Sequence, residues 1–547
     1  LLFRLYHHNT TTDVQHYYFC ICIDAEARLK RFFTKKYRRR SQRRQEPTSN
    51  MHPKKAYSVV LYFCGASMFF AVAGVVLMCL WQLFYGYIIS SNLVLKPNSA
   101  AYSIWLKNPV PLSLKLFVFN WTNPQDIYNA NVKPRFQQLG PYFFSETKEK
   151  TGIVWNDNNT VTFKHLKKWY FDPDRSKGRL TDTVTSINPV ALSAAYTTRH
   201  WNYLIKKGMS LTLNTFINSI SLSHTVGQVL FEGYVDPLMQ AASKLSFLQS
   251  SIPMMDKFGW FYGRNGSENY EGTFNMDTGE RGHQIGQLYN WKYSNHTPFY
   301  PGRCGALVNT SAGEFFPTDL RNDSVIKFFS PDLCRYVELE FEDEVVVNGI
   351  VGYKYSAGPK FLDNGTKIPE NRCFCDGDCM PSGALNISNC RYGSPAFVSL
   401  PHFFKADPYY LQDIEGLHPD PERNDMFMIF EPKTGIPLVV AARLQLNLRL
   451  QPIRGIRLFE NVPTVYFPVL WFEQVVVLPD SMTFNVKMLV NFKLICWSIG
   501  IISIVVGVMI QICVWYRICT TNIFGRKRTR TEKSEAVHVQ ENVPLKK

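Results

Sequence analysis

Leu438-Val439-Val440-Ala441-Ala442-Arg443-Leu444-Gln445-Leu446-Asn447-Leu448-Arg449-Leu450-Gln451 is the stretch whose pattern decides the fold. Val440, Ala442, Leu444, Leu446, Leu448 and Leu450 fall on one side of an extended chain, and Arg443, Gln445, Asn447, Arg449 and Gln451 on the other. That is the period of two of a β-strand. It outlasts the usual strand of about 5–6 residues. A strand so long needs a large sheet beside it, and a closed or nearly closed barrel would hide the sheet's edges.

Strand patterns recur near the other end of the same region. Ser113 to Asn120 alternates Leu114, Leu116 and Val118 with Lys115 and two phenylalanines, and Gly152 to His165 reads as a hairpin turning at Asn156-Asp157-Asn158-Asn159. Between them Asn188 to Leu248 changes character. Its apolar residues, among them Ala191, Ala194, Ala195, Leu204, Ile205, Val229, Leu230 and Leu238, recur at helical spacing, so a group of helices inserted into the sheet is expected.

Six cysteines lie between Ala100 and Lys493: Cys304, Cys334, Cys373, Cys375, Cys379 and Cys390. An even set in a long chain dotted with Asn-x-Ser/Thr triplets reads as three disulfides formed in an oxidising compartment. A zinc site would want paired ligands two to four residues apart with a matching second pair, so no metal is expected. This region therefore lies outside the cytosol.

Two apolar runs explain how it gets there. No charged side chain occurs from Ala56 to Leu95, and Leu494 to Tyr516 is likewise uncharged, bounded by Lys493 and Arg517. About 20 helical residues cross a hydrocarbon layer of ~30 Å. The first run is too long for a cleavable signal and ends in Trp81, Phe84 and Tyr85, an interfacial aromatic set. Charge fixes the orientation. Of the formal +16, residues 1–55 carry 13 basic against 4 acidic side chains and residues 517–547 carry 8 against 3. Basic flanks at both ends place both termini in the cytosol, and a nearly neutral middle excludes a nucleic-acid-binding face. Met51 is the expected natural start, leaving residues 1–50, with Lys35-Lys36-Tyr37-Arg38-Arg39-Arg40, as a solvated segment upstream of it. The tail after Arg526 is polar and expected to be disordered.

The intervening loop carries sequons at Asn120, Asn158, Asn265, Asn295, Asn309, Asn322, Asn364 and Asn386, all expected to bear glycans. It holds no phosphate-cradling loop, no Gly-x-Ser-x-Gly elbow and no His-Glu-x-x-His, so neither an enzyme nor a cofactor is expected. His402 and His224 read as structural histidines, and Asp376-Gly377-Asp378 as a turn lacking the remaining ligands of a calcium loop.

Several motifs occur together in one order: Gly233-Tyr234-Val235-Asp236-Pro237, Phe328-Phe329-Ser330-Pro331-Asp332-Leu333-Cys334-Arg335 and Cys373-Phe374-Cys375. Ser394-Pro395-Ala396-Phe397-Val398-Ser399-Leu400-Pro401-His402-Phe403, Ala406-Asp407-Pro408, Glu431-Pro432-x-Thr434-Gly435 and Arg443-Leu444-Gln445-Leu446-Asn447 follow. With them the chain resembles the class B scavenger receptor family, in an insect-type form, across about residues 55–520. The fold this implies is an α+β membrane protein: two transmembrane helices flank a large antiparallel β-barrel ectodomain with an apical helical bundle and an internal lipid tunnel. The expected organisation is a cytosolic tail (1–56), a first span (57–84), an ectodomain (85–493), a second span (494–516) and a cytosolic tail (517–547). Within the ectodomain, 188–248 would be the apical bundle and 304–390 the disulfide-bonded region.

Family position pairs Cys304 with Cys373, Cys334 with Cys390 and Cys375 with Cys379. It also implies palmitoylation where the second span meets the cytosol, at Cys513 and Cys519, and a ligand-attracting role for lysines on the apical bundle; the matching tract here, Asn218-Ser219-Ile220-Ser221, has no lysine, and Lys206 and Lys207 are the nearest basic pair. The function implied is a receptor that takes lipids (fatty acids, sterols, carotenoids) or lipoproteins at the plasma membrane and passes apolar lipid through the tunnel. Glu541-Asn542-Val543-Pro544-Leu545-Lys546 partly matches a lysosomal sorting signal, which makes the lysosomal or endosomal membrane the alternative location. The alternative functions are a docking or trafficking receptor that recognises a protein through the apical helices and, more remotely, a two-span ligand-gated channel.

Overall fold

The computed structural model describes residues 53–92, 94–243, 256–280, 282, 285–375 and 379–540, without the side chains of 53–56, 90 and 521–540. The basic segment before residue 53, residues 244–248 of the helical insertion, Asp376-Gly377-Asp378 and Glu541–Lys546 lie outside the described residues. The chain divides into two compact units, one formed by the segments up to Leu77 and from Ile499, the other by Met78–Ser498.

The helices Pro53–Asn92 and Phe492–Gln540 carry apolar stretches of 33 residues, Tyr57–Ile89, and 29 residues, Phe492–Thr520, each long enough to cross a membrane. In the first unit these helices meet through small residues. Ser67 Oγ donates to Gly507 O at 2.8 Å, and Ser503 Oγ donates to Phe70 O at 2.8 Å. A Cβ on Gly74 would stand 2.6 Å from Gly500 O, so glycine is what permits this approach. Both serine hydroxyls are thus engaged between the helices. The polar tail departs from expectation: the second helix continues unbroken to Gln540. Its Lys, Arg, Glu and Ala content propagates a helix that the apolar segment has already nucleated.

In the second unit the long strand forms as β14 (Pro437–Leu450) within a 13-stranded antiparallel sheet. The central path runs β3 (Thr160–Phe171), β2 (Phe136–Asn156), β1 (Leu112–Trp121), β15 (Val465–Val477), then β14. Beyond β3 lie β6 (Thr273–Asp277) and β7 (Leu288–Trp291). Beyond β14 lie β13 (Phe427–Phe430), β10 (Ile350–Ser356), β9 (Arg335–Val347) and β8 (Val325–Ser330), and off this path β12 (Ala396–Ser399) pairs with β14 and with β11 (Ala384–Asn386).

The two ends of this path are joined by a short segment. Leu288 N donates to Thr310 O at 2.7 Å, Ser311 N to Lys327 O at 3.0 Å and Phe329 N to Ser311 O at 2.8 Å. Residues 310–312 therefore bridge β7 to β8 and nearly close the sheet, removing its free edges.

The insertion after β3 is helical, as its spacing predicts, with helices Pro189–Thr197, Tyr203–Phe216 and Pro237–Ser243. Asn188 and Asn202 cap the first two, each accepting a backbone N–H, and Pro189 occupies the first helical turn. It also contains a strand that the spacing hides. β5 (Ser221–Thr225) pairs with β4 (Thr183–Ile187), and the Thr185 and Ser223 hydroxyls face each other at 2.7 Å. Ser221-Leu222-Ser223-His224-Thr225 is a poor helix former, and it pairs with a threonine- and valine-rich partner.

The structure joins Cys304 to Cys373, Cys334 to Cys390 and Cys375 to Cys379, with Cα separations of 5.8, 6.2 and 4.8 Å. Those spacings all fall in the range a disulfide spans.

Candidate functional site

Strand register decides what faces inward. Leu444 stands opposite Phe472 and Leu446 opposite Leu470, while Leu114 stands opposite Phe144. Ala442, Leu444, Leu446 and Leu448 of β14, Leu470 and Phe472 of β15 and Leu114 of β1 line one side of a cavity of about 880 Å³. That is the size of a small-molecule site, and this wall is mainly hydrocarbon, with Gln445 and Gln474 the polar side chains these strands add to the lining.

Another part of the lining is charged. On β2 and β3, Glu146 faces Trp169, Lys148 faces Lys167 and Lys150 faces His165. Glu146, Lys148, His165, Lys167 and Trp169 line the same cavity, with Glu271 and Glu314 beside them. Lys148 Nζ donates to Glu314 Oε1 at 3.0 Å and Lys150 Nζ to Glu314 Oε2 at 2.9 Å. His165 sits between two carboxylates, Nδ1 at 2.7 Å from Glu271 Oε2 and Nε2 at 2.9 Å from Glu314 Oε1. Lys167 pairs with Glu271, and Glu146 accepts from the Trp169 indole and from Gln474, each at 2.8 Å.

Burying ions costs several kcal/mol apiece unless partners answer them, which accounts for the density of this network. Burial pushes the Glu314 carboxyl up, yet Lys148 and Lys150 hold it well below the usual carboxylate range; Lys167 and His165 do the same for Glu271. Burial lowers the Lys150 ammonium to about 7 in spite of Glu314. Burial, then Lys150 and Lys148, also lower His165 against the pull of its two carboxylates.

A second charged corner lies along the cavity. Arg264 Nη2 donates to Asp332 Oδ1 at 2.7 Å, and Arg391 Nη2 donates to Asp332 O at 2.6 Å and lies 3.7 Å from the same Oδ1. Arg264 also stacks over Tyr270 at 4.2 Å, and its Nε is buried with no hydrogen-bond partner. Lys292, over the Trp291 ring at 4.5 Å, lines the same space.

The outer face of β14 is not solvent either. Arg443, Gln445 and Asn447 are buried. Gln445 Oε1 accepts from His402 N, Gln445 Nε2 donates to Asn447 Oδ1, and Asn447 Nδ2 donates to Ser399 Oγ. Arg443 donates to Glu473 at 2.9 Å and to Asp425 O at 2.7 Å. His402 completes this polar layer: Nδ1 accepts from His418 N, Nε2 contacts Gln138 at 2.7 Å, and burial lowers its pKa to about 4. It is a neutral structural histidine. His224 stacks on Tyr234 at 4.0 Å.

None of the site residues singled out in the sequence lines the cavity apart from Cys334 and Cys390. Lys206 donates to Arg199 O at 3.4 Å, and Lys207 is exposed over Tyr203 at 5.4 Å. Cys513 and Cys519 are free thiols towards the end of the second apolar helix. Asn158, Asn265, Asn295, Asn309 and Asn322 are exposed, and Asn120 is half-buried, accepting from Thr185 N at 2.8 Å. The surface expectation does not extend to Asn364 and Asn386. Asn364 is 0 % exposed with both amide atoms unpaired, and Asn386 is buried while its Oδ1 accepts from Ser388 N.

Sequence reasoning missed the charged wall. The signal was present as Glu146-x-Lys148-x-Lys150 and His165-x-Lys167-x-Trp169, two period-two runs on either side of the hairpin turn read at Asn156-Asp157-Asn158-Asn159.

Comparison with known proteins gives a consistent picture. The family model described as the CD36 family matches residues 65–518. Protein peste of Drosophila melanogaster is 36% identical over 448 residues, covering 81% of this chain and 80% of that protein. Scavenger receptor class B member 1 of Bos taurus is 31% identical over 426 residues, 78% of this chain and 82% of that protein. Lysosome membrane protein 2 of Homo sapiens is 28% identical over 439 residues, 79% and 88% respectively.

Proposed function

The chain belongs to the CD36 family, and on that premise we propose that it is a two-span scavenger-type receptor that binds lipid in the cavity of its barrel and passes it towards the membrane. The observation carrying this reading is the cavity of about 880 Å³ walled on one side by Leu114, Leu444, Leu446, Leu448, Leu470 and Phe472. An acyl chain in water forgoes about 0.8 kcal/mol of burial per methylene, and a hydrocarbon-walled space spares it that cost. Flow down a lipid gradient then needs no nucleotide. Lipids, and lipoproteins that deliver them, are the partners this implies.

The rest of the chain fits the role. Both termini lie in the cytosol, the body outside carries glycans on its exposed sequons, and the three disulfides hold the barrel in an oxidising medium. Palmitoylation of Cys513 and Cys519 would anchor the end of the second helix. The plasma membrane is the expected location; similarity to a protein named for the lysosome membrane keeps that compartment as the alternative.

Filling the cavity tests the reading. Leu446→Trp with Leu448→Trp should lower both the lipid that co-purifies with the detergent-extracted protein, read by mass spectrometry, and lipid uptake by cells. Unchanged uptake with a folded variant would sink it. A docking role through the apical helices has its own support. Leu204 and Leu211 on Tyr203–Phe216 are 78% and 70% exposed, an apolar stripe open to a protein partner. Leu204→Asp with Leu211→Asp would abolish docking while leaving lipid uptake intact.

A further inference from the structure

The charges around the cavity do not balance. Lys148, Lys150, Lys167, Arg264, Lys292 and Arg391 stand against four carboxylates, Glu146, Glu271, Glu314 and Asp332. Even with Lys150 neutral, an excess positive charge remains. The pairings show where it sits. Glu314 is shared by Lys148 and Lys150, Glu271 is matched by Lys167, and Glu146 is satisfied by the neutral donors Trp169 and Gln474. Asp332 alone must answer both Arg264 and Arg391, and among the described residues no carboxylate lies within ion-pair distance of Lys292.

Arg264 and Arg391 thus share one carboxylate, and Lys292 lines the same cavity. The Lys292 side chain is largely exposed; the burial of part of it and, after that, the Arg391 guanidinium lower its ammonium. The buried Nε–H of Arg264 has no acceptor, and an unanswered buried donor destabilises the fold. A ligand oxygen would satisfy both. Guanidinium groups suit planar or tetrahedral oxyanions, and the same cavity offers the hydrocarbon face of β14.

We infer that Arg264, Lys292 and Arg391 form a headgroup subsite for the oxyanion, carboxylate or phosphate, of a single-chain amphiphile whose tail lies along Leu444, Leu446 and Leu448. The inference rests on the cavity being a lipid site, and it separates acidic lipids from neutral ones such as sterols and carotenoids.

The test uses the full chain in detergent at pH 7 and compares oleate, oleyl phosphate and oleyl alcohol, which share a tail and differ in charge. Oleate and oleyl phosphate are expected to bind at least about tenfold more tightly than the alcohol, as a charge-assisted contact requires. In Lys292→Gln, which orphans no carboxylate, the ratio of oleate to alcohol affinity should fall towards one with the unfolding midpoint unchanged. Equal binding of all three by the unsubstituted protein overturns the subsite and leaves the lipid cavity standing. No binding of any of them overturns both. Displacement of oleate by inorganic phosphate at equal concentration would show a free-anion site and overturn the amphiphile assignment.

Discussion

Two walls enclose one cavity on the same strand geometry, and they differ in what alternate residues carry. On β1, β14 and β15 the cavity is lined mainly by Leu114, Leu444, Leu446, Leu448, Leu470 and Phe472; on β2 and β3 it is lined by Glu146, Lys148, His165, Lys167 and Trp169. The first wall is stabilised by removing hydrocarbon from water and needs no particular partner. The second is tolerable only because each ion meets a counter-ion or, for Glu146, the neutral donors Trp169 and Gln474, several of these partners coming from distant segments. Burial is therefore not the property that separates the walls. What separates them is whether position has to be specified residue by residue.

The sharpest way to break the contrast is to remove one partner from the charged wall. Glu314→Ala strips Lys148, Lys150 and His165 of a common carboxylate and should destabilise the body by about 3–5 kcal/mol, read by denaturant unfolding in detergent. Leu448→Ala on the apolar wall removes buried hydrocarbon without leaving a charge unpaired. A loss of about 2–3 kcal/mol is expected, and a larger cost than Glu314→Ala would reverse the comparison.

Acid titration distinguishes the walls by sign. Glu271, Glu314 and Asp332 have folded pKa values below their ordinary 4.5, 4.5 and 3.8. Their stabilisation is complete above those ordinary values and is lost as pH falls through the lower folded ones. Unfolding free energy should thus drop steeply below about pH 4.5 in the unsubstituted protein and in Leu448→Ala alike, and less steeply in Glu314→Ala. Identical acid limbs in all three would remove the network from the account.

The smallest effect concerns Lys150. Its folded pKa near 7 lies below the ordinary 10.5, so the unfolded chain binds more protons between those values and stability rises with pH across that window. Lys150→Met keeps the packed stem, leaves Glu314 with Lys148 and His165, and should change stability by under about 1 kcal/mol at pH 7. The rise from pH 7 to 10.5 should flatten in that variant, and an unaltered slope would assign it to another group.

Much of the fold is legible in the residues. β14 declares itself by alternation, and the hairpin of β2 and β3 turns at the expected asparagines. Helix caps at Asn188 and Asn202 are local chemistry, so the insertion reads correctly except at β5, whose partner β4 lies outside the stretch that suggests helix. Alternation misleads in one respect. A polar half-strand ordinarily marks solvent, yet Gln445 and Asn447 are fully buried, engaged with the backbone of His402 and with Ser399. Asn364 teaches the same about sequons, since a triplet states chemistry and says nothing about exposure.

The sequence by itself determined the two apolar helices, the long strand and an even set of cysteines, because apolar length, side-chain period and cysteine number are properties of a chain read locally. Tertiary structure alone decided which strand faces turn inward and that His165 meets Glu314, a partner 149 residues away. Closure of the sheet through residues 310–312 brings Glu314 to that wall, and the energy of a buried charge depends on what surrounds it in space.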